Sequence, residues 1–117
     1  MPVERAMTAY RCQHLNCAQS VLHAFQESHS INDDEIHQAK GLGGGRAEAG
    51  LCGALHAALR LTRDSTDKQR LKNAFVAKAG SEKCREIRRT SRIPCSECVR
   101  LAASLIVEHG KTIEGSL

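Results

Sequence analysis

Apolar residues recur at intervals of three and four along most of this chain, a spacing that predicts helices. Val21, Leu22 and Phe25 follow Cys17 at these intervals and predict a helix over roughly 16–28. No stretch of alternating polar and apolar residues is long enough to predict a strand. The pattern therefore favours an all-α fold.

Capping residues and glycines define the next two helices. Asn32, followed three residues later by Glu35, has the pattern of a capping box and predicts a short helix ending near Lys40. A glycine-rich loop over 41–50 follows it. Leucines spaced by four then predict a helix over about 51–61.

Three further helices are predicted in the second half of the chain. Ser65–Asp67 is expected to cap a helix that Gly80 ends. Ser81 is expected to cap a brief helix, and Pro94 begins the last one, which Gly110 is expected to close. We expect a compact multi-helix bundle forming one domain over 1–117, with frayed ends at 1–9 and 111–117.

Composition limits the core of this bundle. The chain has no Trp, one Tyr and two Phe, so its core depends on alanine and aliphatic side chains. A core of this kind makes a homodimer, a disulfide or a bound metal a reasonable source of added stability. The net charge of +4 is small, and few aromatic side chains are available to stack on bases, so nucleic acid is not the expected partner.

No part of the sequence predicts a membrane partner or export. The first residues lack an apolar run, and no stretch approaches the roughly 18 apolar residues that a membrane span needs. We therefore expect a cytoplasmic protein. In that compartment clustered cysteines are more often redox groups or metal ligands than permanent disulfides.

The six cysteines carry the candidate chemistry. Cys95 and Cys98 form a C-x-x-C pair at a predicted helix start, where the helix dipole favours a thiolate. The same argument applies to Cys52. Cys84 lies among arginines that would raise its reactivity if it were exposed, whereas Cys17 could be a simple core residue.

Metal binding is the main alternative to thiol exchange. Zinc or an iron–sulfur cluster needs about four ligands, and the Cys95/Cys98 pair could be joined by the looser Cys12/Cys17 pair. The spacing leaves zinc, a cluster or no cofactor open. A second candidate is the run Gly43, Gly44 and Gly45, which could bind the edge of a cofactor or simply form a tight turn. His56, four residues after Cys52, could tune that thiol.

Several segments together resemble a known family. They are Asn16–Val21 (NCAQSV), Gly43–Gly45, Cys52–Ala54 (CGA), Cys84–Glu86 and Cys98–Val99. They are similar to the C_GCAxxG_C_C family, whose redox activity is inferred from its spaced cysteines. The resemblance implies an all-helical fold and four signature cysteines, namely Cys17, Cys52, Cys84 and one of Cys95 or Cys98. We prefer Cys98, because the apolar stripe of the last helix begins there. Ala57 departs from the pattern, which has glycine at that position.

The leading hypothesis is a redox-active thiol protein, with an oxidoreductase as one form of this activity. The sequence does not identify its electron partner. Its reactive or metal-ligating set would be Cys17, Cys52, Cys84 and Cys98, with Cys95 as a resolving thiol. The alternatives are a metal or iron–sulfur module and a helical dimer whose cysteines are structural. The first hypothesis requires sulfur atoms from distant parts of the chain to meet in one pocket.

Overall fold

The fold is known from a computed structural model that describes residues 2–42, 50–90 and 93–115. Within these ranges the chain forms seven α-helices, one 3-10 turn and a single isolated bridge, which confirms the all-α prediction. In chain order the elements are α1 (Pro2–Cys12), α2 (Cys17–Ala24), α3 (Asp33–Gln38), the 3-10 turn Ala39–Leu42, α4 (Gly53–Leu61), α5 (Ser65–Ala79), α6 (Cys84–Thr90) and α7 (Cys95–Gly115).

Helix α7 is at the centre of the bundle and packs against α1, α2, α4 and α5. In its predicted apolar stripe Cys98, Ala102, Leu105 and Ile106 are buried, whereas Leu101 is half-buried. The radius of gyration is 12.8 Å, close to the value of ~13 Å expected for one compact domain of this length. None of the described helices has the length and apolar character needed to cross a membrane.

The hydrophobic pattern of the sequence did not predict helix α1. The stretch expected to be a frayed end is helical from Pro2 to Cys12, and its Ala6, Met7 and Ala9 are buried. It packs against α2 and α7. Alanine contributes little to a hydrophobic pattern, so a face built largely from it is hard to recognise in the sequence.

Asparagine caps begin both α2 and α3. The Asn16 side chain accepts a hydrogen bond from the Gln19 N–H at 2.8 Å, while the Asn16 N–H donates to Gln19 Oε1 at 3.1 Å, forming a reciprocal capping box. Asn32 caps α3 as predicted. The carboxylate of Glu35, its predicted box partner, accepts instead from Arg60 at 2.8 Å.

Local signals at the other helix ends were partly correct. Gly80 ends α5 in the left-handed conformation with φ 91°, as predicted. The cap of α5 is Asp64, one residue before the predicted serine, and it accepts from the Asp67 N–H at 3.0 Å. The prediction that Gly110 closes the last helix is wrong, because α7 continues to Gly115. A glycine inside a helix costs about 1 kcal/mol and does not by itself end it.

A short antiparallel bridge joins the approaches to α4 and α6. Leu51 pairs with Lys83, and the Cys52 N–H donates to the Glu82 carbonyl at 2.8 Å. Because Leu51 takes part in this bridge, α4 begins at Gly53, two residues later than predicted. The bridge fixes the start of α4 beside the start of α6.

Candidate functional site

Five of the six cysteines line one small cavity. Its wall consists of Cys17, Cys52, Cys84, Cys95 and Cys98 together with Ile87, Arg88 and Ile93. The four cysteines that the family resemblance singles out and Cys95 thus come together from α2, the start of α4, α6 and α7. The cavity has a volume of about 20 Å³, which is room for about one water molecule.

All five of these thiols lie at helix starts, since Cys84 is the first residue of α6 and Cys95 the first residue of α7. Cys17 is the first residue of α2, directly after the Asn16 cap. Cys52 is the N-cap residue of α4, and its carbonyl accepts from the His56 N–H at 2.9 Å. Cys98 lies in the first turn of α7, where its N–H donates to the Pro94 carbonyl at 3.1 Å. Helix geometry therefore holds these backbones firmly.

The cavity thiols differ in their exposure to solvent. Four of them have exposed fractions between 2% and 7%, namely Cys98, Cys52, Cys17 and Cys84. Cys95 is only half-buried. Cys12 is exposed and does not line the cavity, so the structure does not place it with Cys17 as a second ligand pair.

Side-chain hydrogen bonding links four of the cavity thiols in succession, as the shifts of their pKa values indicate. The Tyr10 hydroxyl donates to the Cys95 sulfur, and the Cys95 thiol donates to Cys17. The Cys17 thiol donates to Cys52, and the Cys52 thiol donates to Cys98. We call Cys95, Cys17, Cys52 and Cys98 the thiol row. Cys98 is at its accepting end.

The surroundings of Cys52 keep it protonated. The hydrogen bond that it receives from Cys17 has the largest single effect and lowers its pKa. The hydrogen bond that it donates to Cys98, its burial and the charge of Cys98 all raise the pKa and together prevail, bringing it to about 12. The expectation that its helix start makes Cys52 a ready thiolate is therefore wrong, because burial and neighbouring sulfurs outweigh the helix dipole.

Cys95 and Tyr10 are also held in their protonated forms. Donation to Cys17 and burial raise the pKa of the Cys95 thiol, against the lowering effects of the Tyr10 hydroxyl and the Arg88 guanidinium. The hydrogen bond to Cys95, followed by burial, raises the pKa of Tyr10. The half-buried end of the thiol row is therefore uncharged at neutral pH.

The described residues contain no ready-made set of metal ligands. Among them, no group of three or more His, Cys, Asp or Glu side chains is arranged to hold a metal ion. All six cysteines lie in described stretches, and no disulfide joins any two of them.

Two other predicted groups cannot be assigned to the cavity wall. The candidate cofactor loop Gly43, Gly44 and Gly45 falls outside the described residues. His56 does not line the cavity, and its Nδ1 is buried with no hydrogen-bond partner among the residues that the structure describes.

Two residues of the site had no role in the sequence analysis. Tyr10 reaches Cys95 from α1, and Ile93 lines the cavity just before α7. Tyr10 and Cys95 are far apart in the chain, so no local spacing connects them. The only sequence signal for Tyr10 is that it is the sole tyrosine of a chain poor in aromatic residues.

Comparison with known families agrees with this site. A family model with the description "Putative redox-active protein (C_GCAxxG_C_C)" matches residues 15–109. The match includes all five cavity cysteines and leaves Tyr10 and Cys12 outside it. No match to the chain is found among curated proteins or among solved structures. Because the matched segment is most of its length, the chain belongs to the C_GCAxxG_C_C family.

Proposed function

We propose that this chain is a thiol–disulfide redox protein in which Cys52 and Cys98 cycle between two thiols and one disulfide. The observation that carries the proposal is the gathering of five thiols from distant parts of the chain around one cavity. The hydrogen bond between Cys52 and Cys98 brings these two sulfurs into contact. A further approach to the bonding distance of ~2 Å would form the disulfide.

The cycle moves two electrons. Oxidation removes two electrons and two protons from the pair and delivers them to an oxidant, and a donor dithiol reverses the change by exchange through a mixed disulfide. Cys98 is the proposed nucleophile, because the high pKa of Cys52 leaves that thiol protonated. Cys17, Cys84 and the half-buried Cys95 line the same cavity and are further exchange partners for this pair.

Burial favours a disulfide within the molecule over one between molecules. Cys52 and Cys98 have exposed fractions of 3% and 2%, so their sulfurs meet each other more readily than those of a second chain. The proposed location is the cytoplasm. Its low redox potential would reduce the Cys52–Cys98 disulfide back to two thiols after each oxidation.

Disulfide mapping tests the proposal. Reduced protein is exposed to an oxidant without denaturant, its remaining thiols are counted, and the linked peptides are identified by mass spectrometry. We expect the loss of two thiols and a Cys52–Cys98 link. Cys12→Ser is the matched control, because Cys12 is exposed and outside the cavity. If all six thiols remain reduced under strongly oxidising conditions, the proposal fails.

The two alternative functions give different results in companion measurements. Zinc or iron at a fixed ratio to protein prepared anaerobically, with a visible absorption band for a cluster, would replace the thiol proposal by a metal centre. If the cysteines only fill the core, Cys98→Ser would lower the free energy of unfolding, and the wild-type thiol count would not respond to oxidants.

A further inference from the structure

We propose that the oxidant of this site is hydrogen peroxide or a similarly compact hydroperoxide, and that Cys98 is the thiol that attacks it. This inference rests on the proposed function and names the oxidant class for the same Cys52–Cys98 pair. It depends on three features of the site: the size of the cavity, the position of Cys98 in the thiol row and the cation in the cavity wall.

The cavity admits only a very small reactant. Its volume of about 20 Å³ accommodates roughly one water molecule, and hydrogen peroxide adds one oxygen atom to that size. The walls include Ile87 and Ile93 as well as Cys98, which is 2% exposed. A peptide or glutathione disulfide would have to bring a sulfur atom to the Cys98 sulfur through these side chains.

Cys98 is the sulfur of the row best placed to attack. It lines the cavity beside Cys52, whose thiol is kept protonated and is hydrogen-bonded to it. It also lies in the first turn of α7, after Pro94, where the N-terminal end of the helix carries partial positive charge.

Arg88 supplies the cation of the cavity wall. Its guanidinium lowers the pKa of the Cys95 thiol. The positive charge of Arg88 therefore acts on a member of the thiol row. A peroxide that loses its O–O bond releases negative charge on the departing oxygen, and a nearby guanidinium stabilises that charge.

The reaction balances in two steps. The Cys98 thiolate attacks one peroxide oxygen, the O–O bond breaks, and the other oxygen leaves as hydroxide and takes a proton to become water. Cys98 is then a sulfenic acid. The Cys52 sulfur attacks the Cys98 sulfur, forming the disulfide while the S–O bond breaks and the second oxygen leaves as water. One peroxide is reduced to two waters, and two thiols are oxidised to one disulfide.

Oxidation rates with oxidants of different size test the inference. We measure the second-order rate of thiol loss with hydrogen peroxide, cumene hydroperoxide and oxidised glutathione. Hydrogen peroxide should react at least about 100-fold faster than oxidised glutathione and about 10-fold faster than the bulky hydroperoxide. The comparison is made in Cys12→Ser, so that the exposed thiol outside the cavity does not contribute to the measured loss.

Chemical trapping identifies the attacking sulfur. In Cys52→Ser the sulfenic acid at Cys98 cannot condense with residue 52, so dimedone should label Cys98 after peroxide treatment. If this variant does not fold, dimedone present during oxidation of the wild type gives the same assignment. Labelling mainly at Cys52, Cys84 or Cys95 would overturn the assignment of Cys98.

The outcomes separate the two proposals. If oxidised glutathione forms the Cys52–Cys98 disulfide as fast as hydrogen peroxide does, the small-oxidant inference is wrong and the thiol-redox function stands. If no oxidant produces that disulfide, the proposed function fails and the peroxide inference fails with it.

Discussion

The Cys52 thiol donates a hydrogen bond to the sulfur of Cys98, which joins the N-cap of α4 to the first turn of α7. The contact has two effects. It helps to keep Cys52 protonated, and it places the partial positive charge of the Cys52 thiol hydrogen against the Cys98 sulfur. Two thiols of the same chemical type thereby receive different roles, one as a protonated donor and the other as an acceptor.

The first prediction concerns the stability of the reduced protein at high pH. The Cys52 pKa is about 12 in the folded chain, against an ordinary value of 9.0. Between these values the folded state keeps a proton that the unfolded state has released. The free energy of unfolding should therefore fall as pH rises, by up to ~1.4 kcal/mol per pH unit from this group. The contribution is fully present below the ordinary pKa and is lost as pH rises towards the folded one.

Urea unfolding of the reduced protein from about pH 8 to about pH 11 measures this slope. Cys52→Ala should have a shallower slope, because the variant lacks the group whose pKa changes on folding. An unchanged slope in Cys52→Ala would contradict the assignment of this pH dependence to Cys52.

The second prediction concerns Tyr10, which lies outside the family match. Its hydroxyl lowers the pKa of the Cys95 thiol, so Tyr10→Phe should raise that pKa and slow alkylation of Cys95 by iodoacetamide. A lost hydrogen bond of about 1 kcal/mol corresponds to a roughly fivefold slower reaction. Exposed Cys12 is the internal control in each sample. An equal or faster reaction at Cys95 would show that the hydroxyl does not act on this thiol.

The third prediction concerns Asn16, which caps α2 just before Cys17. Its side-chain amide also donates to the carbonyls of Ala39 at 3.3 Å and Lys40 at 2.9 Å. Asn16→Ala should lower the free energy of unfolding by about 2 kcal/mol, since it removes a cap and a tie to the 3-10 turn. Asn32→Ala is the control for a cap alone and should cost about 1 kcal/mol. Equal losses in the two variants would show that the tie contributes nothing.

The fourth prediction concerns Ala57, which stands where the family pattern has glycine. Its exposed fraction is 1%, so the interior of this bundle accommodates a methyl group there. Ala57→Gly should cost about 2 kcal/mol, from helix propensity and the lost buried methyl. Ala77→Gly, at an exposed position of α5, should cost about 1 kcal/mol. Greater stability of Ala57→Gly in urea unfolding would show that the methyl group is strained.

The sequence predicted the features of this protein that depend on neighbouring residues. The apolar stripe of α7, the Asn32 cap and the Gly80 terminus all follow from spacings of a few positions, and the structure has them. The end of α7 was misjudged at Gly110, because packing along a central helix can outweigh one weak helix former.

The properties of the site depend on contacts that spacing does not reveal. Motifs pointed to the cysteines, but the order of the thiol row arises from how α2, α4 and α7 pack together. The prediction of a thiolate at Cys52 considered only its own helix. The high pKa arises from Cys98 and from burial by other elements. Tyr10 lacked a motif altogether, since its partner Cys95 lies near the other end of the chain.

The Leu51–Lys83 bridge has a consequence for how this chain can vary. Each of these paired residues stands immediately before a cavity cysteine, Cys52 in one case and Cys84 in the other. A single-residue insertion after either partner would displace one sulfur relative to the other even if every helix survived. Length changes should therefore be poorly tolerated at these two junctions.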